Sequence, residues 1–219
     1  MVYKRRFNTL AEVFEYSTST YATNQVSSFV DGEQSYTYAQ FRDRCEHLSR
    51  LLSTFGIGAY DKVAILSENM PNWAVAFFSL TAYGRIAVPM LQELSSNEVT
   101  NIINHSESKA IFVSRKQLGK LDETIVEKLN LVIDIETFEF IKVKDTSYTC
   151  DGRVTIPTPL DTAAIIYTSG TTGNAKGVML CHRNFCANVL EAWKAYKINK
   201  RDIFMSILPI AHTYEMSIG

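Results

Sequence analysis

The sequence predicts an α/β domain: a mostly parallel sheet covered by helices on both sides. Three observations lead there. Short β-branched apolar runs recur between stretches of helical apolar spacing, which is the pattern of strand–helix–strand units. The runs are apolar throughout and do not alternate, so both faces of each strand are buried. Capping signals stand where those helices should begin.

In chain order, Thr37 and Gln40 form a capping-box pattern. Behind them Tyr38, Phe41, Cys45, Leu48, Leu52 and Phe55 repeat at helical spacing, and Gly56 supplies the stop. Residues Lys62–Leu66 read as a buried strand, Asn72–Tyr83 as an apolar helix and Ile86–Met90 as the next strand. Ser95 and Glu98 make a second capping box ahead of Val99, Ile102 and Ile103. Two short strands, Ala110–Val113 and Leu131–Ile135, are separated by a helix through Leu118–Leu129. The polar segment 145–160 holds Pro157 and Pro159 and reads as a surface connection. A strand at Ala163–Tyr167, a Gly/Thr/Ser loop, a strand at Val178–Leu180 and a helix over Asn184–Tyr196 complete the pattern.

Composition bounds the function. The chain has 219 residues, 46% hydrophobic and 21% charged, as in an ordinary globular protein. A net charge of −1 gives no global field favouring nucleic acid or an anionic membrane. The longest uncharged stretch, Asn69 to Gly84, falls short of the ~20 residues that span a bilayer. A soluble, cytoplasmic protein is expected, with contact at a membrane surface open to it. Lys4-Arg5-Arg6 is followed by a polar segment where a signal peptide needs an apolar core. The cysteines at 45, 150, 181 and 186 have no framework spacing and read as core thiols. Trp73 and Trp193 fall on apolar helix faces, where packing is expected. His47 and His105 read as surface or partly packed helix residues, and His182 as a group that caps or orients the helix after it.

The chemistry is concentrated in residues 165–178. Ile165 and Ile166 lead into six consecutive Thr, Ser and Gly residues from Thr168, with Lys176 and Gly177 closing the stretch after Asn174 and Ala175. Gly170, Gly173 and Gly177 permit backbone angles that turn N–H groups toward one point, an anion-binding nest. Thr168, Ser169, Thr171 and Thr172 add hydroxyls, and Lys176 adds a mobile positive charge. Together these suit a polyphosphate better than a bare solvent-exposed turn. Gly177, and not Ser or Thr, follows the lysine, so the stretch is not the phosphate loop of kinases and GTPases.

Read whole, Tyr-Thr-Ser-Gly-Thr-Thr-Gly-x-x-Lys-Gly resembles the AMP-binding signature of the acyl-adenylate-forming enzymes. Three further stretches match that family in order: Tyr36-Thr37-Tyr38, Gly84 through Pro89, and Leu208-Pro209-Ile210-Ala211-His212-Thr213-Tyr214-Glu215. The last is similar to a motif of long-chain fatty acyl-CoA synthetases. The resemblance covers about Tyr36 to Gly219. Ala175 departs from it, standing where members often carry proline.

The resemblance implies an ATP-dependent long-chain fatty acid–CoA ligase, with ATP, Mg²⁺ and coenzyme A as its small-molecule partners. It implies that Ser169, Gly170, Thr171, Thr172, Gly173 and Lys176 hold the β- and γ-phosphates, and that Thr168 lies near Mg²⁺. It places His212 beside the substrate carboxylate and Glu215 one turn later. The family's later Tyr-Gly-x-Thr-Glu element, ribose-binding aspartate and C-terminal lysine are not in this sequence. The expectation is therefore the N-terminal part of the large domain, 1–219, catalytically incomplete alone. A non-catalytic phosphate-binding module and an adenylation domain that loads a carrier protein are the two rival readings.

Overall fold

The computed structural model describes residues 6–144, 155–168, 176–196, 202–212 and 216. Its centre is a seven-stranded sheet built from β3 (Lys62–Leu66), β4 (Ile86–Met90), β5 (Ala110–Val113), β6 (Leu131–Asp134), β7 (Phe140–Val143), β8 (Thr162–Thr168) and β9 (Lys176–Cys181). The spatial order is β7-β6-β5-β3-β4-β8-β9. The five inner strands run parallel, while β7 and β9 pair antiparallel at the two edges. A two-stranded antiparallel ribbon, β1 (Gln25–Ser27) with β2 (Tyr36–Thr37), stands apart from this sheet.

Period-two packing explains why the inner strands are apolar throughout. Val63 and Ile65 of β3 enter one core while Ala64 and Leu66 enter the other. The first core is covered by α1 (Leu10–Thr20), α2 (Tyr38–Thr54), α3 (Pro71–Thr81) and Phe185 of α6 (His182–Tyr196). The second is covered by α4 (Ser96–Ser106) and α5 (Glu123–Lys128). Both expected capping boxes are present, with Thr37 and Gln40 heading α2 and Ser95 and Glu98 heading α4. Gly56 follows α2 at φ 72°, a left-handed angle that suits glycine.

Four differences from the sequence reading have local causes. Residues Leu118–Leu129 do not form one helix: a 3-10 turn over Leu118–Lys120 ends at extended Leu121, and Asp122 starts α5 by accepting from the Ile125 N–H. Helix α1 was not expected, since Ser17 to Thr20 are weak helix formers. Packing of Leu10 and Phe14 holds it instead. Strand β7 was missed because three of its four residues are exposed and its apolar pattern is faint. Strand β9 begins at Lys176, two residues earlier than expected, so the lysine lies in a strand and not in the loop.

The aromatic content is largely core. Phe14 lies 5.7 Å from both Phe41 and Phe78, and Trp73 stacks on Phe77 at 5.3 Å. Arg85 is buried among these helices. Its guanidinium donates to the Ile57 and Ser49 carbonyls and to the hydroxyls of Ser49 and Ser53, joining the start of β4 to α2.

His182 is fully buried and opens α6, yet the helix it caps is α1. Its Nδ1 accepts the Leu10 N–H at 3.2 Å, so the ring proton sits on Nε2. A second proton at Nδ1 would remove that acceptor and place charge in the core. Burial lowers its pKa from 6.5 to about 4, and Asp161 opposes the shift only in part. The unfolded chain therefore binds a proton between those values that the native state refuses, and stability falls as pH drops from 6.5 toward 4. Thermal unfolding of His182→Gln, whose amide can still accept from Leu10, should show a shallower loss over this window than the wild type. Equal slopes would contradict the assignment.

Candidate functional site

Strands β3, β4 and β8 are parallel, so the turns that follow them emerge on one edge of the sheet, where ligands of open α/β sheets bind. At β8 that turn is a hairpin. Ile166 pairs with Val178, Tyr167 with Gly177 and Thr168 with Lys176. The register thus sets Thr168 and Lys176 directly opposite one another at the base of segment 169–175, both exposed. Cross-strand residues have Cβ atoms roughly 4.5–5.5 Å apart, so a hydroxyl and an ammonium share one opening. Ser169, Gly170, Thr171, Thr172, Gly173 and Ala175 lie outside the described residues, as does Glu215.

The register has a steric reason. A Cβ at Gly177 would stand 2.9 Å from Ile165 Cγ2 and 3.2 Å from Tyr167 Cζ. Gly177 therefore acts differently from its expected role in a nest. It sits in an extended strand and makes room for the Tyr167 ring across the hairpin. That ring is held from the other side by α4, where the Tyr167 hydroxyl meets His105 Nδ1 at 2.7 Å with the two rings edge-on. His105 is an exposed helix residue packed on one side against Tyr167, in keeping with the surface or partly packed position expected from sequence. Burial raises the Tyr167 pKa, which keeps the phenol protonated and able to donate.

The second part of the edge lies past β3. The Glu68 carboxylate accepts from Ser114 Oγ at 2.8 Å and from Gln117 Nε2, both on the segment after β5. Burial pushes the Glu68 pKa up, but the bonds from Gln117 and Ser114 outweigh it and leave the carboxyl below its usual range. This network joins the segments that follow β3 and β5, two neighbouring strands whose following helices cover opposite faces. Asn69 comes next and binds the chain far ahead of it. Its Nδ2 donates to Ser206 Oγ and the Leu208 carbonyl, and its Oδ1 accepts the Ile210 N–H.

His212 follows that segment. Ala211 before it is buried, and His212 itself is exposed, its N–H donating to the Pro209 carbonyl at 2.8 Å. Sequence reasoning missed Asn69, Glu68 and the Tyr167–His105 contact. The available signal was the position of Glu68 and Asn69 just past a buried parallel strand. A broad cleft lined by Gln40, Asp43, Arg44, His47 and Phe138 contains none of the sequence-predicted site residues. Among the described residues no cluster of three His, Cys, Asp or Glu groups is arranged for a metal. Nor is any described helix long and apolar enough to cross a membrane.

The architecture is an α/β sheet with Thr168 and Lys176 paired at the carboxyl edge of its β8–β9 hairpin. The sequence profile of the AMP-binding enzyme family matches residues 15–219, and the chain belongs to that family. It is 30% identical to the peroxisomal long chain acyl-CoA synthetase 7 of Arabidopsis thaliana, over 94% of this chain and 33% of that protein. It is 28% identical to the chloroplastic long-chain-fatty-acid–[acyl-carrier-protein] ligase AEE15 of the same plant, over 87% of this chain and 30% of that protein. The chain thus spans about a third of the length of these curated relatives. In fold it is similar to the N-terminal domain of FACL13 from Mycobacterium tuberculosis, with a TM-score of 0.80 at 21% identity, covering 96% of this chain and 54% of that one.

The hairpin geometry makes a prediction. Gly177→Ala should destabilise the chain by about 1–3 kcal/mol through overpacking against Ile165 and Tyr167, read by denaturant unfolding. A neutral substitution would mean that Tyr167 does not fix the register.

Proposed function

We propose that this chain supplies the phosphate-binding part of an ATP-dependent long-chain fatty acid–CoA ligase. The observation that carries the reading is the pairing of Thr168 with Lys176 at the base of the signature hairpin, in a chain of this family. In the reaction, a carboxylate oxygen of the acid attacks the α-phosphorus of ATP, and the α–β bridging oxygen leaves with pyrophosphate. The sulfur of coenzyme A then attacks the acyl carbon, and AMP leaves. The first step brings two anions together, so positive potential must be in place before they meet.

Lys176 would meet that need with a positive charge on an ordered strand, and the segment from Ser169 to Gly173 would add N–H and hydroxyl donors around the β- and γ-phosphates. Its position in a strand shortens the reach to be ordered on binding, since the backbone beneath it is already in a ladder. Thr168 offers a hydroxyl, and the described residues bring no carboxylate cluster to this edge. A Mg²⁺ ion would therefore arrive on the ATP phosphates, with Thr168 nearby, and would neutralise their charge. His212 would donate a hydrogen bond toward the acyl oxygen, and Glu215 of the same motif would join the cofactor-binding residues. Loading of a carrier protein is the second reading, favoured by the relative that ligates fatty acids to acyl-carrier protein. The two differ only in the thiol of the second step.

The test is acyl-thioester formation from acids between acetate and oleate. It uses this chain alone beside a protein in which it is continued through the family's remaining length. The reading predicts ATP-dependent turnover of long-chain acids in the longer protein and none in the 219 residues alone. Retained nucleotide binding without turnover in either would favour a non-catalytic binding module.

Two substitutions in the longer protein separate the roles. Lys176→Ala should slow pyrophosphate release by roughly one to two powers of ten; an unchanged rate would remove the lysine from the phosphate site. His212→Ala should slow acyl-AMP formation while sparing ATP affinity, measured by equilibrium binding. An equal loss of affinity would assign His212 to the nucleotide site or the fold.

A further inference from the structure

We propose that Asn69 is a positioning residue: it holds the segment Ser206–Ile210 against the end of β3 and thereby sets the location of His212. One side chain makes three hydrogen bonds to a stretch 137–141 residues away, at 2.9 Å to Ser206 Oγ, 2.7 Å to the Leu208 carbonyl and 2.8 Å from the Ile210 N–H. The amide carries both a donor and an acceptor and so satisfies backbone groups on both sides of Pro209. It does for this segment what a neighbouring strand would do.

Apolar burial does little to hold the chain ahead of Ile210. Ile203 is 96% exposed and Ile207 76% exposed, so apolar burial does not fix them. Ile210 packs against the first core and Ala211 is buried. From there the linkage to the histidine is short, because the Pro209 carbonyl accepts the His212 N–H and the His212 carbonyl accepts the Met216 N–H.

Asn69 is itself rigidly mounted. Before it, Glu68 is tied to Ser114 and Gln117. After it, Met70 is extended ahead of Pro71, which begins α3, and the Met70 carbonyl accepts the Trp73 N–H. A group mounted between a buried strand and a buried helix transmits their order to whatever it holds.

The position of His212 can be read in the chain itself, without turnover. Amide exchange at Ile210 and the ring signals of His212 should be recorded by NMR for wild type, Asn69→Ala and Asn69→Asp. Asn69→Ala should speed Ile210 exchange about tenfold or more and shift the His212 ring signals. Asn69→Asp keeps the acceptor for Ile210 but loses the donor to Leu208; it should retain most of the Ile210 protection and still displace His212. Unchanged His212 signals in either folded variant would overturn the proposal.

The consequence for catalysis rests on the ligase reading and is tested separately. In the longer protein, Asn69→Ala should lower the rate of acyl-AMP formation about tenfold at unchanged ATP affinity. A matching loss of ATP affinity would make Asn69 a structural residue only. If the wild type forms no adenylate, the ligase reading fails, and the NMR result still decides whether Asn69 places His212.

Discussion

Parallel alignment of β3, β4 and β8 is the constraint on which the chemistry of this chain depends. Because these strands run the same way, the turn after β3 and the hairpin after β8 open on one edge. Residues distant in sequence, from Glu68 and Asn69 to Thr168 and Lys176, therefore belong to one face of the domain. The alignment is fixed by burial on both sides. Shifting β3 by one residue would exchange Val63 and Ile65 with Ala64 and Leu66 between two differently shaped cores.

Polar joints then tie the layers to that sheet. Arg85 fastens β4 to α2, His182 caps α1 from the start of α6, and Tyr167 reaches from the hairpin to His105 on α4. The Arg85 and His182 joints pair buried polar groups that would be costly to leave stranded inside a core, while the Tyr167–His105 bond is exposed. Each also joins residues far apart in sequence, so helix α1 is held by tertiary contacts more than by its own propensities.

Much of this was legible in the sequence, and the limits are physical. Strands β3, β4 and β5 were found at their observed boundaries because doubly buried strands are short, continuous and locally marked. The capping boxes of α2 and α4 were found because their partners are three residues apart. Helix α1 escaped because its stabilising contacts with Phe41, Phe78 and His182 are distant. The hydroxyls and lysine near the hairpin were evident as a composition. That Lys176 sits opposite Thr168 was not, since the register depends on the Tyr167 ring crossing Gly177. Asn69 carried no local mark beyond its place after a buried strand.

The most direct test of the account is to map where a polyphosphate touches this chain. Inorganic triphosphate titrated into the isotope-labelled protein should perturb the backbone amides between Thr168 and Lys176 first and most, with smaller changes at Glu68 and Asn69 along the same edge. Perturbations centred elsewhere, or none at saturating ligand, would contradict the claim that the β8–β9 hairpin is the phosphate site.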